Sequence, residues 1–147
     1  MLKFVLMALV LTLSSCQKDE SPEGYLNRFI DYRFSDGQTR EELLDMTSGE
    51  IKNSLINMEA DELKEFLTAT GNNQKRKFKM LHKNCSGKEC FITYVLNTNH
   101  YTDKTKTFEV ETKKTAKLVM ENEKWLVSEV DTMKTYIEGK KEIIITK

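Results

Sequence analysis

The chain has 147 residues, with 23 basic and 23 acidic side chains, six glycines, three cysteines and a single proline. That length suits one domain with a real hydrophobic core. A formal charge of zero, mixed along the sequence, argues against a dedicated nucleic-acid binder, which would show a basic excess.

The first sixteen residues read MLKFVLMALVLTLSSC: one cation, Lys3, then an apolar run over 4–13 broken only by Thr12. The run is too short to span a bilayer and has the length of a secretory h-region. Leu13-Ser14-Ser15-Cys16, followed by a polar stretch over 17–20, resembles the bacterial lipobox, whose cysteine receives a diacylglyceryl group before cleavage on its amino side. The resemblance implies a signal peptide over 1–15, a lipidated Cys16 with a short tether over 16–24, and one domain over 25–147. An ordinary secreted protein cut near Ser15 is the plainer alternative. Each buried methylene contributes about 0.8 kcal/mol, so the two or three acyl chains of a lipoprotein hold firmly. Gln17 after the cysteine points, by the same resemblance, to the outer membrane where a cell has two, facing the periplasm or the surface. Cleavage there leaves 22 basic and 23 acidic residues.

Helical signals come next. Ser21-Pro22-Glu23 supplies a capping hydroxyl, a proline at the first helical position and an acid for the helix dipole. Tyr25, Leu26, Phe29, Ile30 and Phe34 follow at three- and four-residue spacings, and Asp36-Gly37 ends the helix. Thr39-x-x-Glu42 and Thr47-x-x-Glu50 read as capping boxes of two short helices. A further helix is expected over 60–68, stopped by Gly71.

The apolar period then falls from about 3.6 to 2. Strands are expected over 75–85 and 90–99, joined by Ser86-Gly87-Lys88-Glu89, which sets Cys85 opposite Cys90 across a hairpin neck. Outside the cytoplasm such a pair persists as a disulfide, and so short a loop contributes about 2 kcal/mol in the chain-entropy model. The C-x4-C spacing and the scarcity of further ligands argue against a redox or metal site. The run 107–120 alternates, with Phe108, Val110, Ala116, Leu118 and Met120 on one face and Glu109, Glu111, Lys113 and Lys117 on the other. Glu121-Asn122-Glu123-Lys124 turns into a strand over 125–136, and Gly139 permits a last strand over 142–146, flanked by Lys140, Lys141 and Lys147. The basic stretch Lys75, Arg76, Lys77, Lys79 and Lys83 reads as the solvated side of an outer strand, with anionic headgroups as the alternative contact.

Helices followed by an antiparallel meander give an α+β fold, N-terminal helices packed on a curved antiparallel sheet. The amphipathic helix over 25–34, the short helices up to Thr68 and LVMENEKWLVSEV over 118–130 together resemble the nuclear transport factor 2-like superfamily, a cystatin-like cone-shaped roll that includes many bacterial lipoproteins. The resemblance implies a pocket between sheet and first helix, and says little of function, since this fold hosts enzymes, binders and assembly modules.

Candidate polar groups follow from the last hairpin. Pairing Met120 with Trp125 and Leu118 with Val127 places Glu129 opposite Ala116 under strict alternation, with Asp131 after it, both at the pocket. A β-bulge near Ser128 instead turns Val130 inward and Glu129 out to water. His82 is a strand histidine beside the cysteine neck, and His100 falls in a polar loop over 97–106. Tyr32 and Tyr94 complete the loose acid–base candidates. There is no phosphate-binding glycine loop, nucleophile elbow, His-Glu-x-x-His or calcium loop, so no metal or other cofactor is implied.

The expectation is a membrane-anchored, non-enzymatic envelope module that binds a small ligand or an envelope protein, or dimerises through its sheet. One alternative is a small enzyme whose pocket uses His82, Glu129 or Asp131 as general base. The other is a structural accessory of an envelope complex.

Overall fold

The computed structural model describes residues 21–71 and 73–138. The leader, Cys16 and the strand expected over 142–146 lie outside the described residues. Four helices precede four strands: α1 (Pro22–Arg33), α2 (Arg40–Met46), α3 (Gly49–Asn57), α4 (Ala60–Thr68), β1 (Asn73–Ser86), β2 (Glu89–Thr102), β3 (Thr105–Glu121) and β4 (Lys124–Glu138). The strands form one antiparallel sheet in the order β1-β2-β3-β4. Helix α1 starts at Pro22, so the folded part begins ahead of residue 25, and Ser21 Oγ accepts from the Gly24 amide at 3.2 Å.

Local chemistry sets most boundaries. Thr39 Oγ1 accepts from the Glu42 amide at 3.2 Å and opens α2 as the capping box requires. The second box does not form. Thr47 is fully buried and its hydroxyl turns back to the Leu43 carbonyl at 2.7 Å, leaving Ser48 at the N-cap of α3. Instead Glu59 and Glu62 make a reciprocal box at the start of α4. The β2–β3 and β3–β4 hairpins close through two-residue loops, Asp103-Lys104 and Asn122-Glu123, all four residues at positive φ. That is the turn whose twist matches the flanking strands. The strands therefore run further than their composition suggests. Residues expected as a polar loop, His100 among them, continue β2, where His100 Nδ1 meets Asn73 Oδ1 at 3.0 Å and its ring stacks on Phe108.

The core lies between the helices and one face of the sheet. Tyr25, Leu26, Phe29 and Ile30 of α1, with Leu43 and Leu55, pack against Ile92, Tyr94, Ala116, Leu118 and Val127. Cys85 and Cys90 are directly opposed partners in the β1–β2 ladder and are joined as a disulfide, with Cys90 buried and Cys85 exposed. Of the alternating face of β3, Ala116 and Leu118 are buried while Phe108, Val110 and Met120 are only half-buried.

The basic strand β1 does not simply face water. Lys75 and Lys83 turn toward α1, where Glu23, Asn27 and Asp31 recur every four residues on one helix face. Lys75 Nζ donates to Asn27 Oδ1 at 2.7 Å and to Asp31. Lys83 Nζ lies 2.9 Å from Glu23 Oε1 and, through that hydrogen bond, holds the Glu23 carboxyl below its ordinary 4.5. A depressed folded value means that the pair's stabilisation is complete above the ordinary value and is lost as pH falls through the folded one. Both side chains are about one-third exposed, so the contribution is below ~1 kcal/mol. Chemical denaturation of Lys83→Met should thus show a small loss at pH 7 that disappears at pH 3. A loss of the same size at both values would contradict the pairing.

Candidate functional site

The arrangement of β4 decides where the candidate acids go. Met120 pairs with Trp125 and Leu118 with Val127, but Lys117 pairs with Glu129 and Ala116 with Val130, with a register shift at Ser128. The bulge corrects the strictly alternating placement: Val130 takes the position opposite Ala116, and Glu129 shares the other side of the ladder with Lys117, 4.0 Å from its amine. A second shift, at Met133, follows before Lys134.

The cause of the first bulge is visible in the segment between α2 and α3. Thr47 bridges to Val127 in a parallel sense, and the Ser48 amide donates to the Val127 carbonyl at 3.0 Å. Gly49, at φ +52°, then passes so close to β4 that a Cβ on it would stand 2.2 Å from Ser128 Oγ. Leu126, Val127 and Ser128 are consecutively buried, which a regular strand covered on one face does not do.

Helices α3 and α4 and the bulged part of β4 leave a groove of ~320 Å³ between them. Leu55, Ile51, Met58, Phe66 and Val130 make its apolar floor. Glu50, Glu129 and Asp131 are the acidic residues of its lining. A wider depression between α2 and the start of α4 has only Met58, Leu63 and Ala60 as apolar lining, beside Thr39, Arg40, Glu41 and Glu59.

Sequence reasoning finds Glu129 and Asp131 and misses the rest of this groove, because Glu50, Met58 and Phe66 come from helices whose approach to β4 no local pattern encodes. It brings together neither of the other candidates. His82 is exposed on β1, in the cross-strand row His82–Thr93–Thr115–Asp131. Three strand spacings separate His82 from Asp131, about 14 Å, and the Thr93 and Thr115 hydroxyls hydrogen-bond between them at 3.3 Å. Tyr32 is occupied by Glu42 and by the Thr39 amide. Tyr94 is buried in the core, where loss of solvent pushes its phenol up.

Two polar groups inside the fold were unforeseen. Lys114 is half-buried opposite Tyr94 and Thr132, on the face of β3 that holds Ala116 and Leu118, and burial pulls its amine down. The alternation itself carries the signal, since residue 114 shares parity with 116 and 118. Arg33, whose guanidinium burial also lowers, lies 3.9 Å over the Phe66 ring, donates to the Phe66 carbonyl at 2.9 Å and contacts Gln38, joining α1 to α4. Among the described residues no cluster of His, Cys, Asp and Glu has metal-holding geometry, and no helix is long and apolar enough to cross a membrane.

Sequence comparison finds no matching protein family and no matching curated protein. Solved structures do match. A SEC-C motif containing protein from Rhodopseudomonas palustris superposes with a TM-score of 0.57 at 11% identity, covering 79% of this chain and 81% of that one. The intermembrane space region of the chloroplast protein ARC6 gives 0.55 at 14% identity, over 75% and 92%. The fold is shared with these proteins; identities this low show nothing further. An Ntf2-like potential transfer protein, TraM, from a Gram-positive conjugative plasmid reaches only 0.39 at 13% identity, over 81% and 94%, which is too remote to bear on the fold.

The bulge makes an asymmetric prediction for neighbouring residues. Val130→Glu puts a carboxylate at the half-buried position opposite Ala116 and should cost about 1–2 kcal/mol. Glu129→Leu, on the far side of the ladder, should change stability by less than ~1 kcal/mol. Comparable losses for both, read by urea denaturation, would restore strict alternation.

Proposed function

We propose that this chain is an exported lipoprotein, anchored through Cys16, whose domain is a non-enzymatic binding module using the groove between α3, α4 and β4. The observation that carries the binding reading is a groove whose apolar floor is lined beside it by three acidic residues, Glu50, Glu129 and Asp131. Apolar floors with a few placed polar groups hold small ligands and peptide side chains by burial and orient them by charge. With three acidic residues and no cation in its lining, the groove favours an occupant that is apolar in body and positively charged at one end.

The address is supported by the leader and lipobox pattern and by the Cys85–Cys90 disulfide, which an oxidising compartment allows to persist. A tether of two or three acyl chains keeps such a domain at one surface and raises its effective concentration there. For the finer fold, we read the helices on one sheet face, with bulges at Ser128 and Met133 that bend β4, as the cone-shaped nuclear transport factor 2-like roll. An enzyme is the weaker reading because His82 and Asp131, its general-base candidates, stand in one row at opposite sheet edges.

Native mass spectrometry of the protein extracted from its membrane tests both parts at once. The protein should carry the mass of a diacylglyceryl cysteine in place of the leader, lost in Cys16→Ser, and a non-covalent cationic or amphiphilic adduct, lost in Glu129→Gln/Asp131→Asn. An unlipidated Cys16, or an adduct indifferent to both groove substitutions, would overturn the corresponding part.

A further inference from the structure

The sheet face turned away from the helices carries a band of lysines. Lys79 pairs with Val95, Val95 with Lys113 and Lys113 with Lys134, so three cations stand in one cross-strand row. Lys77 joins them from the next row, opposite Asn97. Lys113 and Lys134 are directly opposed, a like-charge pairing that costs stability unless an anion lies close. Lys77, Lys79 and Lys134 are exposed and Lys113 is half-buried. Among the described residues none of the four is in an ion pair. Lys75, Arg76 and Lys83, by contrast, are taken by Asp31, Glu109 and Glu23. The basic stretch of β1 thus divides, three cations holding the fold while Lys77 and Lys79 join lysines of β3 and β4.

The acids of this face stand mostly at its two ends. Glu89 and Glu129 flank Lys117 at one end. At the other, Glu109 is held by Arg76 and Lys106 and lies opposite Glu138. Nearer the lysine row, Glu111 accepts from Asn97, and Asp131 stands one row away on β4, where it also lines the groove. The middle of the face is therefore cationic, and apolar side chains accompany it. Leu81, Phe91, Met133 and Tyr136 are all exposed. Leu81 lines a hollow of ~350 Å³ with Lys77, Lys79 and Val95. The Lys134 amine stands 4.6 Å from the centre of the Tyr136 ring, and Met133 Sδ is 3.2 Å from Thr115 Oγ1. Amines interleaved with rings and aliphatic groups suit the boundary of a membrane, where rings sit at headgroup level and amines meet phosphates. The chain's formal charge of zero argues against nucleic acid as the occupant.

We propose that this outer sheet face lies against an anionic lipid surface. Lys77, Lys79, Lys113 and Lys134 meet headgroup phosphates, and Leu81, Phe91, Met133 and Tyr136 enter the interface beside them. A chain held at a membrane needs only weak attraction to settle on one face, because its local concentration there is already high. The orientation stands independently of the ligand reading, since the lysine row takes no part in the groove.

The test uses the unaltered full chain reconstituted into vesicles of phosphatidylglycerol or of phosphatidylcholine. Lysine acetylation by a water-soluble reagent is read residue by residue by mass spectrometry. At low salt Lys77, Lys79 and Lys134 should react about tenfold more slowly on phosphatidylglycerol, and added salt should restore their rates. Lys52 and Lys64, on α3 and α4, should react equally on both lipids. In Lys79→Glu/Lys134→Glu the remaining Lys77 should lose its protection. That variant keeps its fold, because Lys134→Glu puts opposite charges across the ladder from Lys113. Equal rates on the two lipids, or a slowing that Lys52 and Lys64 share, overturn the proposal. Protection of the same lysines on phosphatidylcholine, indifferent to salt, also overturns it, in favour of a second copy or another chain on that face.

Discussion

The segment Thr47-Ser48-Gly49 is the joint on which the architecture turns. Among the described residues it is the one place where the helical half is hydrogen-bonded into the sheet as an additional short strand, through the Ser48 amide and the Val127 carbonyl. Burying Thr47 completely removes a hydroxyl from water, and its bond to the Leu43 carbonyl repays that loss inside α2 itself. Ser48 reaches Glu121 at the end of β3, so the same joint holds two strands. Gly49 at positive φ opens α3 against Ser128 without a side chain in the way.

From that joint the rest follows in order. Crowding by the linker accompanies the extra residue at Ser128, and the bulge turns Val130 into the core and Glu129 away from it. Helix α3 then lies along β4, and α4 is held to α1 by Arg33. The space left between these elements is the groove, and its acidic lining comes from residues flanking the joint on both chains of contact, Glu50 just after Gly49 and Glu129 just after Ser128. The lysine staples from β1 fix the other side of the layer, so α1 is tied at both long edges of its buried stripe.

The fold class was readable because its signals are local. A capping hydroxyl at α1 and α2, the proline of α1, apolar stripes of period 3.6 and a later period of 2 each report on a few adjacent residues. The last hairpin was readable down to Met120–Trp125 and Leu118–Val127. Beyond that the sequence allows two registers, since Val127-Ser128-Glu129-Val130 fits alternation or a bulge equally well, and only the linker packed on Ser128 distinguishes them. Thr47-x-x-Glu50 misled for a related reason: the spacing of a capping box is present, but burial against β4 recruits the threonine first. His100 shows the limit of composition, because Asn97-Thr98-Asn99-His100 reads as a loop while ladder pairing on both sides carries it as strand. The groove itself is a long-range product, and only its β4 side left a trace in the sequence.

The dependence on the joint is tested most directly by the stability of Gly49→Ala. A methyl group there meets Ser128 Oγ at 2.2 Å and also holds an L-residue at φ +52°, a conformation costing about 1–2 kcal/mol by itself. The account predicts a loss well above ~2 kcal/mol, with Ser128→Ala added on the same chain recovering the overlap part and leaving the backbone part. A Gly49→Ala protein as stable as the unaltered one would show that α3 and β4 do not meet there, and the groove and its acidic lining would lose their foundation.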